Sequence, residues 1–294
     1  MNKLTIEKRK QIINLLVEGA SLRATSRIAD VSINTVTKLL VDVGAACQKF
    51  HDEKVVNVNS KRIQGDEIWS FVYSKERNVP DGMQGNAGDV WTWTALDADS
   101  KLMVSWYVGN RDSIAAKEFM MDLASRLRNR VQLTTDGFKP YIKAVDAAFD
   151  GEVDFAQLVK IYGAPDGVGN EKRYSPAEIS GTEKHIIEGR PNEKHISTSY
   201  VERQNLTMRM HMRRFTRLTN AFSKKVENHC YAIALHFVYY NFCKVHKTLK
   251  VTPAMEAKLA IKPMTIEDIC NLAPIEAPKT RGKYKTKKQT EGAE

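Results

Sequence analysis

Between Arg62 and Ile161 the apolar residues change period in an order that few folds can absorb. Arg62 to Tyr73 (RIQGDEIWSFVY) is rich in β-branched and aromatic residues, the composition of a strand. Asp89 to Leu96 alternates, with Trp91, Trp93 and Ala95 on one face. Asp97-Ala98-Asp99-Ser100 turns the chain, and Leu102 to Val108 returns. Three successive strands with short connections predict an antiparallel meander. Ser113 to Asn129 then takes a helical period, with Phe119, Met120, Leu123 and Leu127 as the buried stripe. Val131 to Thr135 is a short apolar strand ending at Asp136-Gly137, followed by a helix near 140–149 and a strand near 153–161. The order βββαβαβ predicts an α/β domain with a mixed sheet and flanking helices.

Around this domain the chain divides into a head at 1–50, a linker at 51–60, a main domain at 61–260 and a tail at 261–294. Residues 163–199 are rich in Gly, Pro, Ser and charge and read as a long loop, with room for a short hairpin. From Thr198 the helical period resumes, and Val226 to Tyr240 is a strongly apolar helix. The tail ends in a polar, basic run (KTRGKYKTKK) with too little apolar surface to offset ordering, so disorder is expected there.

The head reads as three short helices. Thr5 and Ser21 are candidate caps for the first two, and Gly19 ends the first. A break at Asp30-Val31-Ser32 precedes a third helix through Val36, Leu39, Leu40 and Val43, expected to stop at Gly44. Helix, tight turn and helix is the helix-turn-helix pattern, whose second helix would offer Asn34, Thr35 and Lys38 to a DNA groove. A three-helix bundle without a DNA role is the competing reading.

The 294-residue chain is 42% hydrophobic and 27% charged, as in ordinary globular proteins. No run of about 18 apolar residues crosses a membrane, and MNKLTIEKRKQ lacks the apolar centre of a leader, so a cytoplasmic location is expected. Cys47, Cys230, Cys243 and Cys270 form no C-x-x-C pair; free thiols and no zinc are expected. His211, His229, His236 and His246 fit no tetrahedral spacing. The net charge is +10, and a sequence pI near 9.3 favours polyanions. The distribution is more telling: Arg203, Arg209, Arg213, Arg214, Arg217, Lys224 and Lys225 fall in a stretch without one Asp or Glu.

Three acids stand where phosphoryl transfer would need them. Divalent ions about 4 Å apart can activate a nucleophile and stabilise a leaving oxygen, and Mg²⁺ prefers carboxylate oxygens on rigid elements. Asp66 lies in the first strand and Asp136 at the end of the fourth, where ligands gather in α/β sheets. Glu202 opens a helix, where the dipole favours a carboxylate. Glu67 rivals Asp66; because side chains alternate, only one of the two is expected to serve. Asp136 also fits a plain strand-end turn, and Glu202 a solvated helix charge. Arg209 follows Glu202 by two helical turns, on one face with Asn205 and near Arg213 and Thr216; a cation there can hold a phosphate beside the metals.

The sequence resembles DDE-type bacterial insertion-sequence transposases, most closely the insertion-sequence-one family. The likeness rests on GDEIWSFVYSK (65–75), LTTDGFKPY (133–141), STSYVERQNLTMRMHMRRFTRLTNAFSK (197–224) and YYNFCKVHKTLKVTPAM (239–255), and covers about residues 60–260. It implies a ribonuclease-H-like sheet, preceded here by the small all-α helix-turn-helix domain. It implies a triad of Asp66, Asp136 and Glu202 binding Mg²⁺ or Mn²⁺, with Arg209 as the basic companion in the glutamate helix; two ions, and DNA contacts from Arg203, Asn205, Arg213 and Arg214, are expected from the chemistry and the basic stretch themselves. It further implies binding of terminal inverted repeats, 3′-end cleavage and transfer to target DNA, by a homodimer or larger assembly on double-stranded DNA. Family members often carry an N-terminal zinc finger, whereas this head contains only Cys47. The alternative is a catalytically inactive helix-turn-helix regulator derived from a transposase. A nuclease that cuts without joining is the third reading.

Overall fold

The computed structural model describes residues 4–163, 179–216 and 220–273. Three N-terminal helices form where the capping residues allow. Thr5 Oγ1 accepts from the Lys8 amide to start α1 (Ile6–Val17), and Ser21 Oγ from the Ala24 amide to start α2 (Leu22–Ala29). Asp30, in the left-handed region, ends α2, and Ser32 caps α3 (Ile33–Lys54).

Helix α3 does not stop at Gly44 but continues to Lys54. A Cβ at Gly44 would lie 2.4 Å from the carbonyl oxygen of Tyr231, in the later helix α7 (Val226–Val238). Glycine there is a crossing point at which two backbones touch, and its apparent stop signal is a packing signal. The boundary expected at residue 50 therefore falls inside a continuous helix. The far half of α3 buries Val43, Cys47 and His51. It is tied to the body through Asp52, which accepts from Arg126 at 2.7 Å.

The body is one six-stranded sheet: β1 (Arg62–Val72), β2 (Gly88–Asp97), β3 (Met103–Gly109), β4 (Val131–Asp136), β5 (Val153–Tyr162) and β6 (Ile179–Glu188), in the order β3-β2-β1-β4-β5-β6. The meander β1–β3 is antiparallel, β4 runs parallel to β1, β5 parallel to β4, and β6 antiparallel to β5. Helices α4 (Ser113–Arg126) and α5 (Pro140–Phe149) make the crossovers and bury Phe119, Met120, Leu123, Tyr141 and Val145 beside Trp93. The later chain adds α6 (Ser199–His211), α7, a π-helical turn at Tyr239–Cys243 and the short α8 (Pro253–Glu256).

Two stretches depart from expectation. Within 163–199 the chain forms β6, an edge strand whose side chains are mostly exposed, so it carries neither an apolar run nor clean alternation; residues 164–178 lie outside the described residues. The tail expected from 261 onward contains α9 (Ile266–Leu272), closed at its start by a reciprocal capping box between Thr265 and Asp268. It buries Ile269 and Cys270 against α1, and the buried Arg9 donates to the carbonyls of Cys270 (2.9 Å) and Ala273 (2.7 Å). The run at 274–294 lies outside the described residues. All four cysteines are free thiols. Among the described residues no helix is long and apolar enough to cross a membrane.

Gly44→Ala tests the crossing. On an exposed helix this change stabilises by about 1 kcal/mol. Here the added methyl meets backbone, and a loss of roughly 1–3 kcal/mol is expected from urea unfolding; an unchanged or higher midpoint would remove the close crossing.

Candidate metal centre

Strand β1 organises the site from both directions along its length. Gln64 Oε1 accepts from the amides of Tyr200 (2.8 Å) and Val201 (3.1 Å), the first turn of α6, whose own Thr198 makes no capping bond to the helix backbone. A distant strand thus caps the helix that carries Glu202. Two residues on, Asp66 Oδ2 accepts from Asn205 Nδ2 of α6 at 2.8 Å, and Asn205 in turn accepts from Thr94 of β2 at 3.4 Å.

Asp136 arrives from β4. The register of the parallel pair ends at Gln64 opposite Thr134; two further residues bring Asp66 level with Asp136. Asp136 Oδ1 accepts from the Phe138 amide at 3.0 Å, and Gln157 of β5 donates to the carbonyls of Asp136 (2.9 Å) and Phe138 (3.2 Å). Gly137 has to be small, because a Cβ there would stand 2.9 Å from Val159.

Carboxylate oxygens of Asp66, Glu67 and Asp136 all lie within 4.8 Å of one another. As alternation requires, Asp66 faces α6 and Glu67 lies toward the Tyr141 side. Both carboxylates nonetheless come near Asp136, which lies beyond Gln64–Thr134, where the β1–β4 pairing ends. The Glu67 side chain is only 2% exposed and shares its enclosed space with the Tyr141 hydroxyl.

The electrostatics follow from this crowding. Burial, then the charge of Asp136, pushes Asp66 up to about 7, and the same two causes push Glu67 up to about 7. Asp136 is raised by burial, against the Phe138 amide, Arg111 and Lys160. Burial raises the enclosed Tyr141 hydroxyl well above its ordinary range, with Glu67 next. Glu202 stands apart from the three: its Oε1 accepts from Lys160 of β5 and from the Thr198 hydroxyl. It is near enough for its charge to raise Asp66 and Asp136. Arg111 bridges the other side, with Nε 3.3 Å from Glu67 and Nη2 3.5 Å from Asp136.

The other expected residues scatter. Arg203 and Arg213 are exposed on or just beyond α6. Arg209 donates to the Phe215 carbonyl at 3.4 Å. Arg214 turns inward to the Asn228 carbonyl (2.6 Å), and burial lowers it to about 10, so it braces the turn after α6 instead of facing solvent. Asn205 is buried and spent on Asp66. Asn34 and Lys38 are exposed and Thr35 half-buried near the start of α3, with Lys38 paired to Asp42 at 2.7 Å. Arg217 lies outside the described residues. His229, held by Ser70 (3.1 Å), and His236 are buried. Among the described residues no histidine or cysteine enters a possible metal group.

No family model matches the chain. No curated protein matches it. Among solved structures it is similar to the Mos1 transposase paired-end complex with left transposon end, at 11% identity and TM-score 0.24, over 53% of this chain and 60% of that one. The Mos1 mariner paired end complex with Mn gives 12% identity and TM-score 0.22, over 51% and 58%. The Mos1 strand transfer complex gives 11% and 0.24, over 81% and 76%. The chain spans about three fifths of the first of these, and a likeness at such TM-scores decides nothing about its chemistry.

Two substitutions check the geometry. Gln64→Leu strands two amides of α6 and is expected to lower stability by about 1–2 kcal/mol in urea; an unchanged midpoint would dismiss the cap. Asp66→Asn keeps an acceptor for Asn205 and removes a crowded charge. Because the folded pKa of Asp66, about 7, lies above its ordinary 3.8, its ionisation costs the native state nothing below about pH 4, progressively more between pH 4 and 7, and a constant amount above pH 7. Metal-free Asp66→Asn is therefore expected to be more stable than the parent at pH 8, by up to about 4 kcal/mol, with the gap narrowing as the pH falls below 7 and closing near pH 4. A gap independent of pH would contradict the assignment.

Proposed function

We propose that the chain is a DNA transposase, a metal-dependent polynucleotidyl transferase of ribonuclease-H-like fold. The carrying observation is the meeting of Asp66, Glu67 and Asp136 carboxylates at the open end of the β1–β4 seam. An all-oxygen donor set of this kind fits Mg²⁺ or Mn²⁺ and does not fit zinc. The strand order 3-2-1-4-5 followed by a helix bearing Glu202 agrees with the fold the sequence resemblance implies.

Asp66, Glu67 and Asp136 would hold the first ion, and Glu202, once parted from Lys160, would contribute to a second. A bound divalent ion lowers the pKa of an attacking water or 3′-hydroxyl and offsets charge on the scissile phosphate. The residues supply the rest. Asn205 holds the Asp66 carboxylate through Oδ2. The Phe138 amide holds Asp136 through Oδ1, while its Oδ2 is shared with Arg111. Trp93, Phe138 and Tyr141 pack together beside Glu67, with the Tyr141 hydroxyl toward its carboxyl. Arg203 and Arg213, exposed along the basic stretch, are the cations available to a DNA backbone, whereas Arg214 serves the fold. Asn34, Thr35 and Lys38 are assigned to recognition of the transposon ends, with a second copy of the chain handling the other end.

The test is Mg²⁺-dependent cleavage and joining of a labelled duplex carrying the inverted ends that flank the gene. The parent is expected to cut and join, and Asp136→Asn to lose at least about a hundredfold in rate while still binding DNA. Tight binding by both with chemistry from neither would assign the chain to the DNA-binding regulators instead.

A further inference from the structure

Arg111 carries no local sequence signal, and its surroundings are unusual for a surface arginine. It sits in the short connection between β3 and α4, and both neighbours are anchored. The Trp93 indole donates to the Asn110 carbonyl at 3.0 Å, and Asp112 caps α4 by accepting from the Ala115 amide at 2.9 Å. The guanidinium is thereby delivered to a set place. There it meets Glu67 and Asp136, two of the three clustered carboxylates, at 3.3 and 3.5 Å. Those contacts are long; well-formed guanidinium–carboxylate bonds run about 2.7–2.9 Å. The flat cation also lies 4.0 Å from the centre of the Phe138 ring and 5.1 Å from that of Trp91, and its side chain is 34% exposed. It thus has an aromatic bed that does not depend on the carboxylates.

We propose that Arg111 is a stand-in cation: it neutralises Glu67 and Asp136 before a divalent ion binds, yields them to the ion, and then pairs with a phosphate of the DNA backbone. The proposal rests on the metal-site reading above. Three observations support it together. Crowded carboxylates need a counter-charge in the metal-free protein. Arg111 meets Glu67 only through Oε2, at 3.3 Å, and the rest of the carboxyl lies toward the Tyr141 hydroxyl, so the arginine does not complete the group. A guanidinium released onto the Phe138–Trp91 bed keeps its fork free, and that fork matches the two oxygens of a phosphodiester. Metal and DNA then bind cooperatively through one side chain, because each favours the same displaced position of Arg111.

The experiment is Mn²⁺ titration of the full chain, followed by the paramagnetic signal of free Mn²⁺, with and without a short duplex of unrelated sequence. In the absence of DNA, Arg111→Gln is expected to bind Mn²⁺ about fivefold tighter or more, since the ion no longer displaces a cation. DNA should tighten Mn²⁺ binding by the parent and do so less for the variant. Arg111→Met, which retains the apolar stem over Phe138, is expected to behave alike and serves if the glutamine variant folds poorly. Asp136→Asn separates the two levels. If it loses Mn²⁺ while the Arg111 variants bind no tighter than the parent, the metal site stands and the stand-in role is overturned. If Asp136→Asn binds Mn²⁺ as the parent does, the metal-site reading falls and takes the proposal with it.

Discussion

The amide groups at the start of α6 are the point on which the site depends. A helix N-terminus leaves several N–H groups without intrahelical partners, and this one receives its acceptor from Gln64, in the middle of the sheet. The same strand supplies Asp66 two residues later, and Asp66 takes a second hold on the helix through Asn205. One stretch of β1 therefore fixes where Glu202 begins and how its helix is rotated. A change in the strand's register by one residue would exchange Gln64 and Asp66 for side chains of the opposite face and detach the helix altogether.

The second constraint is electrostatic, and it works against the fold. Asp66, Glu67 and Asp136 crowd beside an aromatic wall, where burial disfavours their ionised forms. Arg111 relieves part of that repulsion by touching both Glu67 and Asp136, whereas Lys160 pairs with Glu202 and reaches Asp136 only through its charge. The raised carboxyl pKa values mean that ionisation of these groups costs the fold stability. Such local destabilisation is what a cation-binding site requires, because groups already satisfied within the protein have little to gain from an ion.

Much of this was legible in the sequence, for reasons particular residues make clear. The strands β1 to β5 are apolar and β-branched, and the helices between them are periodic, so their order could be read directly. Asp136 was legible because it ends an apolar strand. Glu67 ranked below Asp66 because the two alternate across the strand; that both carboxylates come near Asp136 depends on where the β1–β4 pairing ends, which no local pattern shows. Arg111 and Gln64 gave no signal, since their partners lie 25 to 137 residues away and no local pattern encodes such pairings. Gly44 misled because a glycine that ends a helix and one that admits a neighbouring backbone look alike in sequence. Arg214 looked like a free cation in a basic run, and only tertiary packing turns it toward the Asn228 carbonyl.

The continuity of α3 has a mechanical meaning. Its 22 residues form a strut of about 33 Å, carrying α1 and α2 at the end that bears Asn34 and Lys38 and wedged at the other between α7 and the Asp52–Arg126 pair. A head hung on a flexible linker could swivel to meet DNA from many directions; a head built onto the first turns of this strut cannot. Any duplex seated at Asn34 and Lys38 would be presented to the β1–β4 seam at one pitch and one distance. The spacing between what is recognised and what is cut would then be measured by the length of a single helix.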